Sequence, residues 1–132
     1  MKKIAIRDAY GEALKRLGAE NERIVALEAD VGGSTKSALF GKEFPDRYFQ
    51  VGISELNMVN MAAGMARAGL IPFVNTFSAF LSTRASDPIV SMIGYDHMNV
   101  KLAGTYVGLS DSYDGASHHA ITDISFARAI PG

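Results

Sequence analysis

Four short apolar runs are separated by stretches of helical period, and this alternation limits the chain to very few architectures. The runs are Ile24-Val25-Ala26-Leu27, Tyr48-Phe49-Gln50-Val51, Ile71 to Asn75, and Asn99 to Ala103. Each is short and lies between turn signals or helical stretches, so each reads as a strand. Between them the apolar spacing changes. Ile6, Tyr10, Leu14 and Leu17 fall on one helical face, with Gly18 as a natural stop. Thr35 to Phe40 reads as a short helix ended by Gly41 and Pro45, and Ser54 is placed to cap a helix running to about Ala68, closed by Gly69. Phe77 to about Ile93 reads as mostly helical with a bend at Pro88, and His118 to Ala129 as a last helix. Strands alternating with helices require right-handed crossovers. The expected fold is therefore α/β, a three-layer parallel sheet with helices on both faces, formed as one domain over residues 1–132.

Parallel sheets of this kind bind ligands beyond the C-terminal ends of their strands. Four segments fall there: Asp30 to Ser34, Gly52 to Glu55, Thr76 to Phe80, and Tyr106 to His118. After the last helix a further strand is expected, yet the chain ends at Gly132. It therefore reads as a fragment, or as a subunit of something larger.

Composition narrows the function. The formal charge of −1 offers no basic field for nucleic acid or an anionic membrane surface, so neither is an expected partner. Cysteine is absent, which removes disulfides, zinc fingers and thiol nucleophiles and suits a reducing compartment. Lys2 and Lys3 precede Ile4, but Arg7 and Asp8 interrupt the apolar stretch too early for a signal peptide. No apolar run is long enough to cross a bilayer. A cytoplasmic location is the resulting expectation.

Glu55 is the foremost candidate for chemistry. It stands at the mouth of the Met- and Ala-rich helix, next to Leu56, Met58 and Met61, which could provide a partly dry cleft suited to sharing a proton with a ring nitrogen. It could equally be a first-turn glutamate complementing the helix dipole. Phe77 and Phe80 are either a core pair on one helical face or an aromatic wall for a flat heterocycle. In the long polar segment Asp111 to His119, Asp114 and His118 could hydrogen-bond a hydroxylated substrate, or Asp114 could serve an Asx-turn. His118, His119 and Asp114 are weak metal ligands, because adjacent histidines diverge, and no metal is expected on this chain. Ser34 and Thr35, after Gly32-Gly33, could cradle a phosphate at a helix N-terminus, and Arg7 is either a solvated charge or an anion ligand.

Taken together, Glu28-Ala29-Asp30, Val51-Gly52-Ile53-Ser54-Glu55-Leu56-Asn57-Met58, Asn75-Thr76-Phe77-Ser78-Ala79-Phe80 and Asp114-Gly115-Ala116-Ser117-His118 resemble the pyrimidine-binding domain of the transketolases. The resemblance covers nearly the whole chain and is closest to the separate C-terminal subunit of two-gene transketolases. It implies the thiamine-diphosphate-binding fold. It also implies that Glu55 is the catalytic glutamate, hydrogen-bonding the pyrimidine nitrogen opposite the amino group, with Phe77 and Phe80 lining the ring pocket and Asp30 near the cofactor. Arg7 and Ser34 correspond to positions that bind the sugar phosphate, and Asp114 and His118 to side chains that contact sugar hydroxyls. The implied reaction is transfer of a two-carbon ketol unit between sugar phosphates, as in the pentose phosphate pathway.

Departures from the family pattern are Thr83 where another aromatic is common, Tyr106 where a histidine is frequent, and His119 where glutamine is frequent. The family's acidic magnesium-binding motif has no counterpart here. The resemblance therefore implies a partner, a diphosphate-binding N-terminal transketolase subunit that carries Mg²⁺. Without that partner this chain is expected to be inactive. Self-association is also expected, with the helix from Leu56 to Met65 as one candidate surface. Two alternatives share the glutamate and the fold: the beta-type component of a 2-oxo-acid dehydrogenase, and a deoxyxylulose-phosphate synthase. A third alternative is a non-catalytic domain for assembly or ligand binding.

Overall fold

A computed structural model describes residues 3–131; Met1, Lys2 and Gly132 lie outside the described residues. The strands are β1 (Ile24–Glu28), β2 (Tyr48–Gln50), β3 (Ile71–Phe77) and β4 (Lys101–Thr105). They form one parallel sheet in the order β2-β1-β3-β4, with Leu27 beside both Phe49 and Val74, and Asn75 beside Ala103. The helices are α1 (Ile6–Glu20), α2 (Gly32–Thr35), α3 (Ala38–Glu43), α4 (Glu55–Arg67), α5 (Ser78–Thr83), α6 (Ser86–Pro88) and α7 (Asp123–Arg128).

The pleat of β1 explains the three layers. Every residue of this strand is buried, as a strand covered on both faces requires. Ile24 and Ala26 point to one side, where they pack with Leu14 of α1 and Phe40 of α3. Val25 and Leu27 point to the other, against Met58, Val59 and Ala62 of α4, Leu81 of α5, and Ile89. The continuous apolar run of β1 is thus two half-cores sharing one strand. Fully burying each of its larger side chains stabilises the fold by about 1.5–3 kcal/mol.

Several element boundaries differ from the sequence expectation. Helix α1 runs through Gly18 to Glu20, and its buried face is Gly11, Leu14 and Gly18, while Ile6 is 90% exposed. Gly18 is a contact point and not a stop: a Cβ there would lie 2.9 Å from the Phe44 ring and 3.0 Å from Phe40 Cδ2. Arg47 satisfies the end of the helix instead, donating to the carbonyls of Gly18 (2.9 Å), Asn21 (3.2 Å) and Ile24 (3.3 Å). The helix expected over 35–40 is two pieces, divided at Lys36, whose φ is +67°. Gly41 lies inside α3, which ends at Glu43 before Phe44 and Pro45.

Gly69, with φ +94°, does close α4, and the Leu70 amide reaches back 3.0 Å to the Met65 carbonyl. Phe77 belongs to β3, and the helix after it breaks at Arg84–Ala85 and continues as a wide turn over Ile89–Gly94, beyond Pro88. The last helix begins at Asp123 rather than His118, because Gly108 and Ala120 exchange backbone hydrogen bonds of 3.1 and 2.9 Å and draw the intervening chain out. No helix among the described residues is long and apolar enough to cross a membrane.

Candidate functional site

The chain leaves β1 toward β2 on one side and returns to β3 on the other. That reversal makes a topological switch point at the C-terminal ends of β1 and β3, where such sheets bind ligands. Asn75 ties the two strands together there. The residue is fully buried, and its amide donates to the carbonyls of Leu27 (2.9 Å) and Phe73 (2.8 Å). Its Oδ1 accepts from the Tyr10 hydroxyl, whose burial pushes the phenol well above its ordinary range.

Glu55 stands at the first position of α4. Gly52 turns the chain with φ +75°, and the Ser54 hydroxyl donates 2.8 Å to the Val51 carbonyl. Ser54 therefore braces the turn; it makes no side-chain cap, contrary to its sequence reading. The Glu55 residue is 2% exposed. Its wall is not the one expected from sequence, since Leu56 is 49% exposed and only Met58 is fully buried. In place of an open cleft, Nη1 of Arg84 lies 3.3 Å from each Glu55 oxygen. The same guanidinium stands over the Phe80 ring, with its carbon 4.0 Å from the centroid.

Arg84 is the functional candidate that sequence reading missed. Its signal was the i,i+4 spacing from Phe80. A planar, N–H-bearing cation already lies between a buried carboxylate and an aromatic face. These walls therefore have the shape and chemistry to take a flat nitrogenous group.

Phe77 and Phe80 stack with centroids 5.8 Å apart and planes at 21°. Tyr106 packs on Phe77 at 4.7 Å, and His118 stands edge-on to Phe80 at 5.1 Å and to Phe77 at 6.0 Å. The Arg7 guanidinium donates to the Tyr106 hydroxyl. Side-chain contacts thus run from Arg7 through Tyr106, Phe77, Phe80 and Arg84 to Glu55. His118 joins this cluster, and its Nδ1 is 3.0 Å from the Ser117 hydroxyl.

The other candidates stand further out. Asp30 is exposed, holds φ +62°, and accepts 2.8 Å from Gln50 Nε2 at the β1–β2 edge. Asp114 is exposed on its loop, one residue before Gly115, whose φ is +80°. Ser34 is half-buried within α2, and the phosphate cradle imagined around it is already filled. The Glu28 carboxylate takes the Val31 amide at 2.6 Å, and Thr35 is buried, with its hydroxyl 2.9 Å from that of Ser37. Burial raises the Glu28 carboxyl above its ordinary value, against the lowering effect of the amides it accepts. His119 turns away from His118, to the Asp111 carbonyl at 3.1 Å. Among the described residues no three or more His, Cys, Asp or Glu side chains gather in a way that could hold a metal ion.

Two grooves flank β4. One, of about 730 Å³, is lined by Arg7, Tyr10, Phe73 and Tyr106; the other, of about 510 Å³, by Leu81, Ile89, Ile93 and Phe126. Neither is lined by Glu55 or Phe80.

A family model described as transketolase, pyrimidine binding domain, matches residues 2–132. The chain belongs to that family. A Methanocaldococcus jannaschii relative, whose name describes a transketolase C-terminal section, is 47% identical over 126 residues, covering 96% of this chain and 40% of that protein. Human transketolase is 45% identical over 130 residues, 98% of this chain and 20% of the human protein. A solved split-gene transketolase, an inactive beta4 tetramer, superposes with a TM-score of 0.84 at 46% identity, over 98% of this chain and 42% of that one. This pyrimidine-binding domain therefore spans about two-fifths or less of the relatives it matches.

Proposed function

We propose that this chain supplies the pyrimidine-binding half of a thiamine-diphosphate site in an enzyme that transfers a two-carbon ketol unit between sugar phosphates. The observation that carries the reading is the buried Glu55 carboxylate joined through Arg84 to the Phe77–Phe80 stack, in a chain of this family. Glu55 holds a proton at the ring nitrogen opposite the amino group. Phe80 and Phe77 fix the plane of the ring, and Asp30 stands near the cofactor at the β1 end. When bound, thiamine diphosphate supplies a nucleophilic carbon and an electron sink for the two-carbon unit. Arg7, oriented by Tyr106, takes the anionic end of the sugar, while Asp114 and His118 contact its hydroxyls.

The diphosphate and its Mg²⁺ belong to another polypeptide segment, an N-terminal transketolase subunit, so this chain alone is inactive. Support comes from the split-gene relative, whose beta4 tetramer is itself inactive, and from the short span of each relative that this chain covers. Self-association of this chain accords with the same tetramer.

Calorimetry of the isolated chain with thiamine diphosphate and magnesium should find no micromolar binding; such binding would overturn the half-site reading. The assembled enzyme should accept xylulose 5-phosphate and not pyruvate, and the reverse would favour a 2-oxo-acid enzyme. A third donor is worth the same assay. A Clostridium relative, 37% identical over 127 residues, is named as a 6-deoxy-6-sulfo-D-fructose transketolase subunit, and an arginine at Arg7 would receive a sulfonate much as it receives a phosphate.

A further inference from the structure

Arg84 touches both walls of the ring site. One of its nitrogens bridges the two Glu55 oxygens at 3.3 Å, and its guanidinium lies over Phe80 at 4.0 Å. A guanidinium and an aminopyrimidine share what these walls recognise: a flat shape, N–H donors, and faces that shed water readily. We propose that Arg84 is a displaceable internal occupant of the ring site, holding the place of the heterocycle against Glu55 and Phe80 until the cofactor ring exchanges with it. The inference rests on the thiamine-diphosphate reading and adds a positioning residue to it.

Two features make the exchange feasible. The Arg84 side chain is 49% exposed while that of Glu55 is 3% exposed, so the cation can leave into solvent and the carboxylate cannot. Arg84 also follows the last residue of α5, just before the break that precedes α6, so its side chain leaves from a helix end rather than from the middle of a helix. The exchange never strands the buried carboxylate, because the ring replaces the arginine as its hydrogen-bonding partner. Before exchange Arg84 keeps Glu55 oriented toward Phe80, the direction in which the ring must be met.

Competition follows directly. The apparent dissociation constant of the cofactor is raised by a factor of one plus the ratio of Arg84-closed to Arg84-open molecules. A half-exposed ion pair together with a cation–π contact favours the closed form about three- to tenfold. A merely structural ion pair makes the opposite prediction, since removing it would loosen Glu55 and weaken binding.

The test is calorimetric titration of thiamine diphosphate with magnesium into the assembled enzyme, comparing wild type, Arg84→Gln, Arg84→Lys and Glu55→Gln. Arg84→Gln should bind about three- to tenfold tighter than wild type. Arg84→Lys should fall between them, because an ammonium keeps the charge without the plane. Thermal midpoints of the cofactor-free proteins check folding; should Arg84→Gln fail to fold, Arg84→Lys must still bind tighter than wild type. Unchanged or weaker binding in the Arg84 variants, with Glu55→Gln weakened, overturns this inference alone. A wild type that does not bind, or a Glu55→Gln protein that binds as tightly as wild type, removes the cofactor reading and this inference with it.

Discussion

Replacing Glu55 with Gln separates chemistry from stability, because the structure assigns the two effects very different sizes. The amide keeps the shape of a side chain that is 3% exposed and removes only its charge. The lost ion pair is with an arginine 49% exposed, so solvent screening limits its contribution to about 0–1 kcal/mol. Burying an amide in place of a carboxylate offsets part of even that. For a domain of this size, 1 kcal/mol moves the thermal midpoint by about 4 °C or less. The kinetic effect is larger. A positioned proton-transferring group contributes about 10²- to 10⁴-fold, which is about 2.7–5.4 kcal/mol in the barrier. The assay is kcat of the assembled enzyme at saturating thiamine diphosphate and donor sugar, with the thermal midpoint recorded on the same preparation. Retention of more than a tenth of wild-type kcat would refute the catalytic role. So would a loss of activity that simply tracked a loss of fold.

Two helix glycines should respond in opposite directions. Gly64→Ala places its Cβ in open space and should stabilise by about 0.5–1 kcal/mol, whereas Gly18→Ala drives its Cβ into Phe40 and Phe44 and should cost about 1–3 kcal/mol. Urea midpoints shifting the same way in both variants would contradict the packing described. Glu28 should carry a pH signature. Burial raises its carboxyl above 4.5 in the folded chain, so its contribution to stability is fully present below pH 4.5 and is lost as pH rises through the folded value. Wild type should therefore lose unfolding free energy relative to Glu28→Gln as pH rises above 4.5, and a gain would refute it. Tyr106→Phe removes the hydroxyl that steadies Arg7 and should raise KM for a phosphorylated donor about two- to fivefold with kcat little changed. An equal fall in kcat and kcat/KM would place Tyr106 in the chemistry instead.

Much of the site was legible because its parts are local. The turn into α4 needs a glycine able to take positive φ, and Glu55 follows at the first helical position; both stand within four residues, Gly52 to Glu55. Phe77 and Phe80 are three residues apart across the junction of β3 and α5, and they meet as the spacing requires. What sequence reading missed was the partner of Glu55. Arg84 lies 29 residues away, and only the packing of α5 beside the start of α4 brings the two together. Gly18 misled for the same reason. A glycine near a helix end signals a stop, yet here it admits the rings of Phe40 in α3 and of Phe44 just beyond it.

Strand and helix periods, turn glycines and the absence of a basic field are properties of near neighbours and of composition. The chain alone therefore determined a parallel α/β sheet and which residues stand at the C-terminal ends of its strands. Which charges face one another there was decided by tertiary structure: Arg84 on Glu55, Tyr106 on Arg7, and the Glu28 carboxylate on the turn that had looked ready for phosphate. Such pairings depend on how two crossovers lay their helices across the sheet, and no short-range pattern encodes the distance between groups separated by tens of residues.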